Sequence, residues 1–182
     1  MNRNKAMENE KELLAKVAQK NKKAFEELYK LLSQKVFYFL YRLLQSKESA
    51  EDVLMEVFST VWNTAGKFKG NSKVATWIFG IARNLALNEM RKNKKHQGEE
   101  LYETIQDKKS NREHRAFESS TQVQKALSLL SFKHREILDL VFFHEATYLE
   151  ISQILEIPEN TVKTRVFYAK AALKEQILEM EG

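Results

Sequence analysis

The chain has 182 residues, of which 43% are hydrophobic, with one proline, five glycines and no cysteine. This composition favours a mostly helical protein of one domain or two small ones, and it excludes disulfides, thiol catalysis and cysteine-based zinc sites. The formal net charge of +5 is a weak bias toward polyanionic partners. No apolar run approaches the roughly 18–20 residues of a membrane span, and the first residues lack the apolar core of a signal peptide. We therefore expect a cytoplasmic protein without membrane insertion.

Apolar residues recur at helical spacing from residue 10 to about residue 91, which predicts four helices. The first is short and ends at Asn21, because Asn tolerates the left-handed conformation of a helix end. The others are expected over residues 24–44, 49–65 and 73–95. The third begins at Ser49, with Asp52 three residues later, as in a capped N-terminus.

The third helix carries two stripes of different chemistry. One is apolar and suits a core, namely Ala50, Val53, Leu54, Val57, Phe58 and Val61. The other combines acidic residues with Met and Trp, namely Asp52, Met55, Glu56, Ser59 and Trp62. Aromatic residues and Met are enriched at the centres of protein interfaces, so the second stripe favours a protein contact. Packing of Trp62 against another helix of the same domain explains the pattern equally well.

The loop after the third helix and the fourth helix suit an unpaired nucleic-acid strand. Expected core positions are Ile78, Ile81, Ala82, Leu85 and Leu87. Stacking and hydrogen-bonding groups are Phe68, Trp77, Arg83, Asn84 and Asn88, with Lys69, Lys73, Arg91, Lys92, Lys94 and Lys95 around them. Cations hold phosphates, and an aromatic face receives a base at roughly 1–3 kcal/mol. The alternative is a buried Trp77 and a solvated basic helix end. We expect Trp77 to lie partly in the core, with the lysines and asparagines contacting nucleic acid.

Residues 96–120 are polar, mixed in charge and poorly periodic, which predicts a flexible linker. Helices resume over residues 121–130 and 133–143. The predicted organisation is therefore all-α, with two small helical domains, residues 1–95 and 121–182, joined by the linker.

Residues 146–173 predict a helix-turn-helix. The first helix carries Leu149, Ile151, Ile154 and Leu155 at helical spacing, and Pro158 stands where a helix starts. The second helix buries Val162, Val166 and Ala169. Its outer face and flanks offer hydroxyls, cations and aromatics that suit the major groove of duplex DNA: Thr161, Lys163, Thr164, Arg165, Phe167 and Tyr168. An ordinary helical hairpin with a solvated face is the alternative, and we favour DNA binding.

Three segments together resemble one protein family, the extracytoplasmic-function sigma factors of bacterial RNA polymerase. They are AEDVLMEVFSTVW from Ala50, TWIFGIARNLALNEMRKNKK from Thr76 and TVKTRVFYAKAAL from Thr161. The resemblance extends from residue 13 to residue 178. It implies sigma region 2 in residues 1–95 and sigma region 4, with the helix-turn-helix, in residues 121–182.

The resemblance also implies partners and site residues. The coiled coil of the largest subunit of core RNA polymerase is expected to bind Asp52, Met55, Glu56, Phe58 and Trp62. The separated strand of the minus-ten promoter element is expected to contact Phe68, Lys69, Asn71, Ser72, Trp77, Arg83, Asn84, Asn88, Arg91 and Lys92. The minus-thirty-five element is expected to contact six residues of the second helix of the helix-turn-helix, namely Thr161, Lys163, Thr164, Arg165, Phe167 and Tyr168. The polymerase flap and an anti-sigma factor are further expected partners, and no cofactor is expected.

Three positions depart from the family pattern. Met55 stands where Gln is frequent, which makes the docking surface more apolar. Glu156 replaces the usual Gly of the turn, so a side chain occupies a position that favours positive φ. Tyr168 replaces a commonly basic residue and lowers the charge available for phosphate contact.

Two other classes of protein remain as alternatives. A conventional regulator with a helix-turn-helix would bind its DNA site without polymerase, and it has no use for the cluster between Phe68 and Asn88. An enzyme is disfavoured because His96, His114, His134 and His144 form no metal-ligand spacing, and because no glycine-rich phosphate loop occurs. The segments His134–Glu136 and His144–Glu145 are expected at the surface near helix ends. We expect no catalytic residue and no metal site.

Overall fold

The computed structural model describes the backbone of residues 3–96 and 122–181 and the side chains of residues 8–92 and 122–180. These residues form α-helices and one short 3₁₀ helix, and no strand occurs among them. The helices are α1 (Arg3–Ala18), α2 (Lys22–Leu44), α3 (Lys47–Thr64), the 3₁₀ helix (Ala65–Lys67), α4 (Val74–His96), α5 (Gln122–Leu129), α6 (Phe132–Phe142), α7 (Tyr148–Leu155) and α8 (Glu159–Glu181). The predicted all-α fold is confirmed. Residues 97–120 of the expected linker, with His114, lie outside the described residues.

Helices α1 to α4 form an N-terminal bundle with α2 at its centre, because α2 packs against each of the other three. Leu28, Val36, Phe39 and Leu40 of α2 are almost completely buried. Burial of each such side chain contributes about 1.5–3 kcal/mol. All six residues expected on the core stripe of α3 are buried as well.

The core of α4 differs from the expected set. Ile78 and Ala82 are buried, whereas Ile81, Leu85 and Leu87 are only half-buried. Three further residues of this helix complete its buried face, namely Val74, Phe79 and Ala86. The buried face is therefore displaced from the predicted one, toward the side on which Phe79 meets α2 and the C-terminal half of the chain.

Two predicted helix ends were wrong. The left-handed residue after α1 is Lys20, with φ of 64°, and Asn21 instead caps α2 by accepting a hydrogen bond from the Ala24 backbone N–H at 3.0 Å. Helix α3 starts earlier than predicted, because the Ser46 hydroxyl accepts from the Ser49 backbone N–H at 3.2 Å. Asn is favoured at both the start and the end of a helix, and Ser46 and Ser49 are both competent N-caps, so residue type alone did not decide between neighbouring positions.

Helices α5 to α8 form a C-terminal bundle that contains the predicted helix-turn-helix. A reciprocal capping box starts α7, because Thr147 accepts from the Glu150 backbone N–H while the Glu150 carboxylate accepts from that of Thr147. The turn passes through Glu156, and α8 begins where the Pro158 carbonyl accepts from the Val162 backbone N–H. The expected core residues of α8 are buried: Val162, Val166 and Ala169.

The two bundles pack against each other through α4 with α7 and α2 with α6. The imidazole of His144 lies against two phenylalanine rings of the N-terminal bundle, with centroids 5.8 Å from Phe39 and 4.5 Å from Phe79. This side of α4 is thus covered by the C-terminal bundle, whereas α3 and the outer face of α8 remain accessible.

Glu156 adopts the left-handed conformation, with φ of 54° and ψ of 43°, and its side chain is exposed. Because a Cβ is crowded by the carbonyl oxygen there, we expect Glu156→Gly to raise the free energy of unfolding by about 1 kcal/mol. Glu156→Ala is the control, since it removes the charge and keeps the Cβ. Thermal unfolding followed by circular dichroism compares the variants, and a Gly variant no more stable than the Ala variant would contradict the strain.

Candidate nucleic-acid interface

The acidic stripe of α3 borders an open groove on the N-terminal bundle. Asp52, Met55, Glu56 and Ser59 are exposed, and Met55 leaves 66% of its surface free. Phe58 is buried beneath the groove. The groove is lined mainly by apolar atoms of α2 and α3, from Lys22, Phe25, Glu26, Tyr29, Met55, Phe58, Ser59 and Trp62. An uncovered apolar floor with charged margins suits a protein partner.

Trp62 packs within its own bundle and also borders the groove, so its role in a protein contact stays a prediction. Its ring packs edge-on against Phe25, with centroids 5.2 Å apart, so it belongs to the bundle. It also lines the groove. The Lys20 ammonium lies 5.0 Å from the indole centroid and donates a 2.7 Å hydrogen bond to the Trp62 carbonyl. These contacts hold the indole in place at the edge of the groove.

The loop before α4 and the first turns of α4 bring two aromatic rings together. Phe68 and Trp77 are half-buried, with centroids 5.4 Å apart and planes inclined by 51°. Lys69 and Asn71 are exposed, and the Ser72 hydroxyl donates to the Lys73 carbonyl at 3.2 Å. The two rings of the expected stacking surface are therefore in contact, and the exposed Lys69 and Asn71 follow Phe68 closely along the same loop.

Further along α4, the polar residues divide between solvent and the C-terminal bundle. Asn84, Asn88, Arg91 and Lys92 are exposed. Arg83 is not, because its guanidinium donates to the Glu136 carboxylate of α6 at 2.9 Å. The side chains of Lys94, Lys95 and His96 lie outside the described residues.

On α8, Arg165 was expected to face outward but is also turned inward. Its guanidinium pairs with Glu136 at 3.3 Å, whereas Phe167 and Tyr168 leave 69% and 59% of their surfaces free. The remaining outward residues are exposed: Thr161, Lys163 and Thr164. Lys163 makes only an exposed pair with Glu159, one helical turn away, at 3.4 Å.

Glu136 is a partner of two predicted site residues, Arg83 and Arg165, that the sequence did not reveal. It and Arg135 were expected at the surface, but they are 0% and 8% exposed. Burial raises the pKa of Glu136, and Arg83 and then Arg165 oppose that rise. Burial also lowers the pKa of Arg135 to about 10 against the opposing charge of Asp139. The prediction was wrong because α6 is covered by its own bundle on one side and by the N-terminal bundle on the other.

Asp139 and His144 complete the buried polar cluster. The Asp139 carboxylate, 2% exposed at its side chain, pairs with Arg42 of α2 and lies 3.1 Å from the His144 Nε2. The surface position expected for His144 was wrong, since its imidazole is only 7% exposed. One signal was available in the sequence, because Asp139 stands between two leucines in the apolar stretch of α6.

A second contact between the bundles involves the start of α4. Lys73 pairs with Glu150 of α7, and the Gln153 side-chain amide donates to the Asn71 carbonyl at 3.4 Å. Partial burial acts to raise the pKa of Glu150, but hydrogen bonds from Lys73 and Thr147 outweigh it and lower that pKa. The charged form of Glu150 is therefore favoured beside Lys73.

Across residues 3–96 and 122–181, no group of three or more potential His, Asp or Glu ligands converges as a metal site would require. Nor does any described helix combine the length and apolar character needed to cross a bilayer.

Residues 28–96 match the family model described as Sigma-70 region 2, and residues 126–175 match Sigma-70, region 4. The chain belongs to the sigma-70 family. The ECF RNA polymerase sigma factor SigW of Bacillus subtilis is 28% identical over 93% of this chain and 97% of its own length. The RNA polymerase sigma factor YlaC of the same organism is 29% identical over 87% of this chain and 94% of its own length. This sigma factor is therefore a transcription initiation factor of the extracytoplasmic-function class.

Solved structures agree with the fold. The sigma factor RpoE of Bartonella quintana, solved in complex with the anti-sigma factor NepR, has a TM-score of 0.68 at 25% identity and covers 85% of this chain and 97% of its own. CnrH, solved with the cytosolic domain of CnrY, has the same TM-score at 18% identity, over 96% of this chain and 99% of its own.

Arg165→Ala should lower the free energy of unfolding of this sigma factor by about 2 kcal/mol. It leaves a fully buried carboxylate with Arg83 as its remaining partner, and loss of one partner from a buried pair is strongly destabilising. Lys163→Ala is the control, because its exposed ion pair contributes less than about 1 kcal/mol. Urea unfolding measures both. Equal effects of the two substitutions would contradict the buried pairing of Arg165.

Proposed function

We propose that this sigma factor binds core RNA polymerase through the groove of its N-terminal bundle and directs it to promoters. The loop around Phe68 and the outer face of α4 capture the separated strand of the minus-ten element, while α8 binds the duplex minus-thirty-five element. The observation that supports this division is the presence of two DNA-facing chemistries on separate bundles. Stacking rings with amides lie on one, and an exposed helix face with hydroxyls, a cation and aromatics lies on the other.

Strand capture follows from the chemistry of the Phe68–Trp77 pair. Unstacking and unpairing a base costs a few kcal/mol, and stacking of that base on an aromatic side chain offsets roughly 1–3 kcal/mol of this cost. Lys69 and Asn71 lie beside the rings and are exposed, so a cation and an amide are available for backbone and base. Promoter opening then requires neither nucleotide hydrolysis nor a catalytic residue in this subunit.

Polymerase docking is supported by the groove between α2 and α3. Met55 projects from α3 toward solvent, flanked by the exposed acids Asp52 and Glu56. Apolar contact in the centre and charge at the margin is the usual anatomy of a protein interface. The acids would face basic residues on the polymerase coiled coil and increase the rate of association.

Duplex binding is assigned to the residues that α8 presents outward. Lys163 and Thr164 are placed for phosphate and base contacts, and Phe167 for apolar contact with a thymine methyl group. Tyr168 offers a hydroxyl where a cation would strengthen phosphate binding. Arg165 remains a predicted contact that requires release from Glu136.

Control by an anti-sigma factor is part of the proposal. Two structural relatives were solved as complexes with NepR and with the cytosolic domain of CnrY. An uncovered apolar groove needed for polymerase docking is also a natural target for an inhibitor, because occupation of the groove excludes the polymerase. We place this regulation in the cytoplasm, where the polymerase is found.

Reconstitution with core RNA polymerase tests the function directly. Purified protein and core enzyme, mixed with a promoter library, should yield transcripts that start at defined sites and that depend on both components. The protein without polymerase should bind the same duplexes only weakly. Tight site-specific binding by the protein alone, with no dependent transcript, would favour a conventional helix-turn-helix regulator.

Met55→Glu should weaken association with core polymerase by about tenfold or more. The substitution places an unpaired charge where the proposed interface excludes water, while Glu is tolerated on an exposed helix face. Leu31→Glu is the matched control, because Leu31 is 43% exposed on α2 but does not line the groove. Titration of labelled core enzyme measures both, and unchanged affinity of the Met55 variant would exclude this groove as the docking site.

Lys163→Ala should weaken holoenzyme binding to the minus-thirty-five duplex by about tenfold, since one specific contact is worth about 1–3 kcal/mol. Association with core enzyme should be unchanged. Lys174→Ala removes the same charge from an exposed position farther along α8 and serves as the control. Loss of polymerase association in the Lys163 variant would overturn the assignment of duplex binding to this face.

A further inference from the structure

Helix α4 lacks a side-chain cap from the segment directly before it. Its first turn is closed by the Trp77 backbone N–H, which donates to the Lys73 carbonyl at 3.1 Å, so Lys73 holds the cap position. The Lys73 ammonium cannot accept a hydrogen bond and pairs with Glu150 instead. The Ser72 hydroxyl donates to the Lys73 carbonyl at 3.2 Å. The first N–H groups of a helix have no partner within it, so those of α4 must be satisfied by water or from elsewhere in the chain.

Glu10 of α1 provides such an acceptor. Its half-buried carboxylate accepts a hydrogen bond from the backbone N–H of Ala75, the second residue of α4. Burial raises the pKa of Glu10, whereas that hydrogen bond and the positive charges of Lys35 and Lys73 act to lower it. A carboxylate near the first turn also interacts favourably with the helix dipole. Glu10 therefore caps α4 from a different helix.

Helix α1 holds both sides of the loop formed by residues 68–73. It packs against the 3₁₀ helix that precedes this loop and against α4, which follows it. The inner face of α1 is fixed in the bundle, because Leu13, Leu14 and Val17 are buried. Helix α1 precedes the segment that matches sigma region 2, so the match to the family assigns it no role.

The cap lies close to the rings proposed to receive a base. Trp77 stands in the same first turn of α4 as Ala75, and its indole contacts Phe68 with centroids 5.4 Å apart. Helix ends fray, and removal of a cap raises the population of the frayed turn by about two- to thirtyfold. Fraying of this turn would release Trp77 from its fixed position, and the cost of ordering it again on DNA would weaken binding.

We propose that Glu10 is a positioning residue for strand capture, which acts from α1 through Ala75 to hold the Phe68–Trp77 pair ready for an unstacked base. This inference rests on the proposed function, because it adds a residue to the same surface. Glu10 contacts α4 rather than DNA, and its effect is on the geometry of the two rings. Loss of its acceptor oxygen should therefore reduce promoter opening, while core-enzyme association and duplex binding, which use other surfaces, are retained.

The capping is tested first in the free, full-length protein. Glu10→Ala removes the acceptor, and Glu10→Gln keeps an acceptor oxygen without the charge. Glu12→Ala is the matched control, because Glu12 is exposed on the same helix. Amide hydrogen exchange followed by NMR measures the Ala75 N–H. We expect exchange about tenfold faster in Glu10→Ala than in the parent or the Glu12 variant, with Glu10→Gln between them.

Promoter opening is then measured with core enzyme, as permanganate reactivity of promoter thymines. At equal occupancy of the upstream duplex, Glu10→Ala should reduce this reactivity by about tenfold, and Glu10→Gln should restore part of it. Glu12→Ala should match the parent protein. Titration of labelled core enzyme should give the same affinity for all three variants, which excludes general unfolding as the cause of the loss.

A second-site substitution separates capping of α4 from packing of α1. Lys73→Ser places a hydroxyl at the cap position, where it can accept from the N–H of Ala75 or Thr76. In the Lys73→Ser protein, Glu10→Ala should lower promoter opening by less than about twofold, compared with about tenfold in the parent protein. Each Glu10 variant is compared with its own background, so a separate effect of losing Lys73 cancels.

Three results would overturn the positioning role. They are unchanged exchange of the Ala75 amide in Glu10→Ala, unchanged promoter opening despite faster exchange, and an equal loss of opening in the Lys73→Ser background. Failure of the proposed function gives a different result, because the parent complex then opens no promoter whichever residue stands at position 10.

Discussion

A buried carboxylate is stable only with polar partners, and in this sigma factor Glu136 has one partner in each half of the chain. Arg165 reaches it from α8 within the C-terminal bundle, and Arg83 reaches it from α4 of the N-terminal bundle. Loss of hydration without such pairing is one of the largest penalties available to a folded protein. Glu136 therefore connects the two bundles, because it holds Arg165 inward and pairs with Arg83 on the covered side of α4.

The three accessible surfaces differ in the chemistry of their side chains. The groove over Phe58 is apolar and open, the Phe68–Trp77 pair offers stacking beside exposed Lys69, and α8 presents hydroxyls and aromatic rings to solvent. Each would suit a different partner, namely protein, separated strand and duplex. The proposed polymerase and duplex surfaces are accessible, whereas Arg83 and Lys73 pair with carboxylates of α6 and α7.

The sequence predicted which face of a helix packs against the core of its own bundle. Helical spacing identified the buried stripe of α3 and the buried side of α8, since both depend on residues within a few turns. It also placed Phe68 and Trp77 near one another, and the structure brings these two rings into contact. Their roles in binding stay predictions.

What the sequence missed depends on packing between distant segments. Glu136 and His144 were expected at the surface because polar residues near helix ends normally face water, and the spacing of residues along one helix contains no sign of a second bundle packed on that side. Arg83 was predicted to contact DNA because it is a cation close in sequence to aromatic rings and amides, and the sequence did not reveal that its guanidinium pairs with Glu136. Asn21 and Ser49 failed for a local reason, since several adjacent residues were competent caps and tertiary packing selected among them.

The central claim is that one bundle holds a separated strand while the other binds duplex DNA in the same polymerase complex. Permanganate reactivity of promoter thymines, measured together with nuclease protection of the upstream duplex, tests both parts at once. The account predicts reactive thymines at the start region only with core enzyme and protein together, and their loss with retained upstream protection when Phe68 is replaced by Ala. Upstream protection with no reactive thymine in the parent complex, or full reactivity in the Phe68→Ala complex, would contradict it.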